Sequence, residues 1–72
     1  MSIAKNIEVS STSTVSFEDA LQQGISKVCQ SVKHVKGAWV KEQKVSIDAG
    51  KVVEYNVTMI VSFVVGDSPV DE

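Results

Sequence analysis

The longest regular pattern in the chain runs from Val52 to Val65. From Val53 onward its odd positions, Val53, Tyr55, Val57, Met59, Val61, Phe63 and Val65, are all apolar, and Glu54, Asn56, Thr58 and Ser62 fall between them. Strand side chains alternate between two faces, so the spacing predicts a strand over residues 52–65 with one face in a core and the other largely polar. Its apolar content suits the middle of a sheet rather than an edge open to water. Shorter alternation predicts a first strand over 3–9, and Ser10-Ser11-Thr12-Ser13-Thr14, whose hydroxyls compete for backbone hydrogen bonds, reads as a loop.

The period then changes. Phe17, Ala20, Leu21, Gly24, Val28, Val32 and Val35 recur at helical spacing, predicting an amphipathic helix over 16–35. Ser16 suits the N-cap, with Asp19 three residues on near the positive end of the helix dipole. Gly24, on the apolar face, predicts a close approach of helix to sheet. Lys33, His34 and Lys36 suit the negative end, and Gly37 is positioned to stop the helix.

A further strand is expected over 38–47, with Gly37, Trp39, Lys41 and Gln43 pointing one way and Ala38, Val40, Glu42 and Lys44 the other. Asp48-Ala49-Gly50-Lys51 supplies the residues of a hairpin turn. Residues 66–72 read as a flexible tail. The order strand, helix, strand, strand defines a single α+β domain with βαββ topology. Its three-stranded antiparallel sheet has the order 1-3-2, with the helix across one face. The other face, bearing Asn56, Thr58 and Ser62 beside Ile60 and Val64, is left for a ligand or a partner subunit.

Length alters this picture most. A chain of 72 residues hides only about 60% of the surface its unfolded form exposes, and such domains gain stability from disulfides, metals or association. One cysteine and one histidine without ligand-like spacing point to association. Seven basic and nine acidic residues give a net charge of −2 with no basic block, which argues against nucleic acid as a partner. No apolar run is long enough to span a membrane and no secretory pattern opens the chain, so a cytoplasmic location is expected. No nucleophile with a positioned base is apparent, and the expected protein is not an enzyme.

Several stretches together resemble the dodecins: Glu8-Val9-Ser10-Ser11-Thr12-Ser13, Ser16-Phe17-Glu18-Asp19-Ala20, the Asp48-Ala49-Gly50-Lys51 hairpin, and Tyr55-Asn56-Val57-Thr58-Met59 followed by Val61-Ser62-Phe63. The resemblance implies a helix partly wrapped by its sheet and a hollow homododecamer of cubic symmetry. It also implies flavin, riboflavin or FMN, held in pairs at subunit interfaces for storage or buffering, without turnover. In flavin-binding dodecins a tryptophan at the start of the second strand stacks on the isoalloxazine, and a glutamine in the third binds its pyrimidine edge. By gapless spacing from the hairpin those places fall on Gly37 and Asn56, with Trp39 two residues further along. Val40-Lys41-Glu42-Gln43 resembles a subgroup without that tryptophan, described as metal-binding, so a flavin-free shell holding calcium or another ion is the alternative.

The candidate flavin- or ligand-binding residues are therefore Trp39, Asn56, Gly37, Lys41 and Gln43. Each also has a structural reading. Trp39 and Asn56 serve equally as interface or cross-strand residues, and Lys41 and Gln43 as a solvated strand face. His34 reads as a helix-end contact, Cys29 as a small buried or interfacial residue, and Asp67, Asp71 and Glu72 as a tail whose carboxylates would gather calcium only around a symmetry axis.

Overall fold

A computed structural model describes residues 3–65 of the chain. The predicted tail at 66–72 lies outside the described residues. The elements are β1 (Ala4–Ser13), α1 (Phe17–Ser31), β2 (Val35–Asp48) and β3 (Lys51–Val64), and the antiparallel sheet has the order β1-β3-β2. The predicted α+β, βαββ topology is the one observed.

The inner face of β3 carries most of the core. Val57, Met59 and Val61 are buried there against Ala20 and Val28 of α1, with Ile7, Val9, Phe17 and Leu21 packed around them. Phe17 meets Tyr55 edge to face, with ring centroids 5.2 Å apart. Gly24 sits where helix and sheet are closest. A Cβ there would stand 2.7 Å from Met59 Cε and 3.1 Å from Ser11 Cβ, so any larger residue would force the methionine tip and β1 to shift.

The loop expected at Ser10–Thr14 is instead largely strand, because its hydroxyls bond across the sheet. Ser10 Oγ lies 3.3 Å from Thr58 Oγ1, and Thr12 Oγ1 donates to Asn56 Oδ1 at 2.7 Å. Ser13 ends the strand facing inward, nearly buried. Its hydroxyl donates to Asp19 Oδ2 at 2.6 Å and accepts the Val15 amide at 2.9 Å. Ser16 caps α1 as expected, accepting the Asp19 amide at 2.9 Å.

The helix also stops four residues short of the expected Val35. Val32 is already extended, although its amide still reaches Val28 O at 2.8 Å. His34 then takes a left-handed conformation (φ 64°) that turns the chain into β2 at Val35, where pairing with Phe63 begins. The β-branched Val35 loses more in a helix than in a strand and the sheet claims it, while Val32 is left as the extended C-cap. His34 is thus a turn residue whose carbonyl accepts the Val64 amide at 3.2 Å, and Gly37 lies inside β2 rather than at the helix end.

The hairpin forms at the expected place. Ala49 (φ 51°) and Gly50 (φ 78°) are both left-handed, and Asp48 pairs with Lys51, which is the two-residue turn whose twist matches that of the strands. Because β2 and β3 are 14 residues each, the molecule is elongated, 54 × 18 × 14 Å. Its radius of gyration of 14.9 Å exceeds the roughly 11 Å of a compact domain of this length.

Two substitutions test this packing. Gly24→Ala should lower stability by about 1–2 kcal/mol, the overpacking cost outweighing the gain in helix propensity; a rise in thermal midpoint would contradict the close contact. Ala49→Asn should raise stability by a few tenths of a kcal/mol or more, since Asn tolerates the left-handed region better than Ala; an unchanged or lower midpoint would contradict the turn assignment.

Candidate functional site

The outer face of the sheet, opposite α1, is built in rungs set by the strand register. Asn6, Ser62 and Gly37 form one rung; Glu8, Ile60 and Trp39 the next; then Ser10, Thr58 and Glu42; then Thr12, Asn56 and Lys44. Residues paired across antiparallel strands share a face, so all of these side chains point away from the helix. Trp39 and Asn56 do lie on one face, as their spacing predicted.

Gln43 does not join them. A register shift between Val40 and Glu42 makes Lys41 an extra residue in β2, and Gln43 then pairs with the buried Val57 on the inner face. One inserted residue inverts the alternation that follows, so Glu42 and Lys44, expected on the opposite side from Trp39, come to the outer face in its place. Lys41 crosses over Ile60 to Glu8, with Nζ 3.1 Å from Oε1. Both side chains are about half exposed, so the pair contributes only about 0–1 kcal/mol to stability. Its effect is to lay a charged bar beside Trp39.

Trp39 is 53% exposed, with its neighbour on the same face, Gly37, leaving open space. No atom lies within 4 Å of where a Cβ at Gly37 would be. An indole next to a rung without a side chain leaves open surface at its side, with Ile60 in its own rung and Ser62 and Asn6 in the next; Ser62 Oγ donates to Asn6 Oδ1 at 2.8 Å. A half-exposed indole beside open space leaves room for a flat ring to stack on it. Asn56 is differently placed. Its Oδ1 accepts from Thr12, and its Nδ2 donates to Ser46 Oγ at 3.2 Å, so the amide is engaged in a cross-strand ladder. Trp39 pairs with Ile60, four positions from Asn56 along β3, which at a rise of about 3.4 Å per residue separates them by roughly 14 Å. A single small ring touching both takes them from different copies of the chain.

Cys29, expected buried or interfacial, is exposed on the protomer. Among the described residues no three His, Cys, Asp or Glu side chains gather as a metal site, and Asp67, Asp71 and Glu72 lie outside them. No described helix is long and apolar enough to cross a membrane.

The fold and this face define a small βαββ domain whose sheet covers a helix on one side and, among the described residues, stands bare on the other. The chain belongs to the dodecin family, whose sequence model matches residues 3–66. A calcium dodecin from Mycobacterium tuberculosis is 32% identical over 63 residues, spanning 88% of this chain and 89% of that protein. The crystal structure of a calcium dodecin from the same organism, described as calcium chelating with a novel calcium-binding site, superposes with a TM-score of 0.76 at 30% identity over 97% of each chain. A single-residue variant of a Thermus thermophilus dodecin superposes at a TM-score of 0.87, with 26% identity over 94% of this chain and 100% of that one.

Proposed function

We propose that the chain is the protomer of a cytoplasmic, non-catalytic homododecamer that holds a flavin of riboflavin or FMN type at its subunit interfaces, storing or buffering it. The observation that carries this reading is the half-exposed Trp39 beside the open space at Gly37, on a sheet face that no other described element covers. Trp39 supplies the stacking surface, Gly37 the room, and Lys41 the charged border. Asn56 reaches the ligand from another copy only by exchanging its ladder bonds, each worth about 0.5–1.5 kcal/mol, for bonds to the flavin edge. Stacking on one indole adds about 0.5–1.5 kcal/mol beyond the area covered.

A second reading is favoured by the 32% identical calcium dodecin. In it the shell binds calcium, with oxygen ligands contributed by several copies, as a hard cation with six to eight ligands requires.

Riboflavin titration of the purified oligomer separates the two. The flavin reading predicts saturable quenching of riboflavin fluorescence, weakened about tenfold or more in Trp39→Ala. Gly37→Trp should tighten binding about tenfold, because the new ring enters free space. Unquenched fluorescence with the wild-type chain, together with a calorimetric response to calcium chloride, would overturn the flavin reading in favour of the ionic one.

A further inference from the structure

Among the described residues Lys41 and Glu8 form the only ion pair, and Lys41 is the residue of β2 that the irregularity between Val40 and Glu42 leaves without a partner opposite it. A bulge re-aims a side chain. Here it sends Lys41 across Ile60, which shares a rung with Glu8 and Trp39, so that Nζ donates to Glu8 Oε1 at 3.1 Å. Both side chains are half exposed, and a pair of that kind adds little to stability. Its placement is the informative part, because it sets a matched charge pair in the rung of the exposed indole.

The charge balance of this face follows from the register. Glu8, Glu42 and Lys44 take outward positions in successive rungs, and Lys41 reaches in from the bulge. Two acids and two bases leave no net charge there, and the cation bordering the indole is already met by a carboxylate. Lys36, the next cation along β2, is three residues from Trp39, about 10 Å along a strand. An uncharged ring compound with a hydroxylated tail meets this surface without electrostatic cost. One that ends in a phosphate, carrying roughly −1.5 to −2 charges at neutral pH, must compete with Glu8 for Lys41 and faces Glu8 and Glu42 as like charges.

We infer that the Glu8–Lys41 pair is a charge filter, which makes the Trp39 surface select an uncharged flavin over a phosphate-bearing one, riboflavin over FMN. Glu8 is the positioning residue: it acts through Lys41, keeping the ammonium neutralised, and has no need to touch the ring. The selection works by penalising the wrong ligand rather than by adding contacts to the right one. The inference rests on the flavin reading of this site and deepens it.

The experiment titrates riboflavin and FMN separately into the assembled full chain and reads fluorescence quenching, for wild type, Glu8→Gln, Lys41→Gln and the double variant. Wild type should hold riboflavin about threefold tighter than FMN or more. Glu8→Gln frees the ammonium and should tighten FMN about threefold to tenfold while riboflavin stays within about twofold. Lys41→Gln leaves Glu8 unmatched and should weaken FMN by a similar factor, and the double variant should return close to the wild-type ratio. The gain in Glu8→Gln should shrink in about 0.5 M salt. A merely structural pair would move FMN in the same direction in both single variants, and a direct contact to the ring would move riboflavin as much as FMN. Either result, or a wild type that holds FMN as tightly as riboflavin, would overturn the filter while leaving flavin binding in place. So would Lys36→Gln weakening FMN where Lys41→Gln does not. Quenching by neither flavin would overturn the flavin reading and the filter with it. If sedimentation shows that Glu8→Gln does not assemble, Glu8→Ser takes its place and is judged by the same ratio.

Discussion

Everything in this protomer depends on how far one short helix can cover a long sheet. α1 has 15 residues, packs on β1 and β3, and buries Val57, Met59 and Val61 beneath Ala20 and Val28. The close approach at Gly24 makes that contact tight, but the helix is shorter along its axis than the ribbon it covers. β2 therefore has no buried residue, and the hairpin runs on past the helix into solvent. Among the described residues only five apolar side chains are buried in the core, which is small, and domains of this length hide only about 60% of their unfolded surface. The same geometry that limits the core leaves the surfaces through which copies and ligands are reached.

The two faces of the sheet divide those roles. Inside, alternation on β3 is nearly perfect, and side chains are chosen for packing. Outside, hydroxyls and amides bond from strand to strand, as in the Thr12–Asn56–Ser46 ladder, and hold the three strands in register without a covering layer. Trp39 interrupts this polar surface next to a rung with no side chain, and the bulge at Lys41 brings a charged pair to its border. A large aromatic left half exposed on a mostly polar face is the feature packing within the protomer does not explain.

Much of this was legible from residue order. The period-two run on β3, the serine cap at Ser16, the glycine contact at 24 and the Ala49-Gly50 turn are local signals, and the fold follows from them. What escaped was whatever depends on a partner strand. The hydroxyl run at Ser10–Ser13 reads as a loop until Thr58 and Asn56 stand opposite it. The helix end at Ser31 rests on competition between helix and sheet for Val35, with Val32 extended and His34 left-handed before it, and no local residue announces it. In the candidate site, the shared face of Trp39 and Asn56 was visible, but their separation along β3 was not. The placement of Gln43 failed because a bulge leaves no mark in the alternation of a strand that is polar on both sides.

A protomer with so little core and such uncovered ends should owe its stability to its neighbours, and mass action makes that measurable. The most direct measurement is the unfolding midpoint of the full chain over a hundredfold range of protein concentration, paired with mass at each concentration. A midpoint that climbs with concentration, alongside an assembled mass, is the predicted result; a constant midpoint with monomer mass throughout would contradict the account.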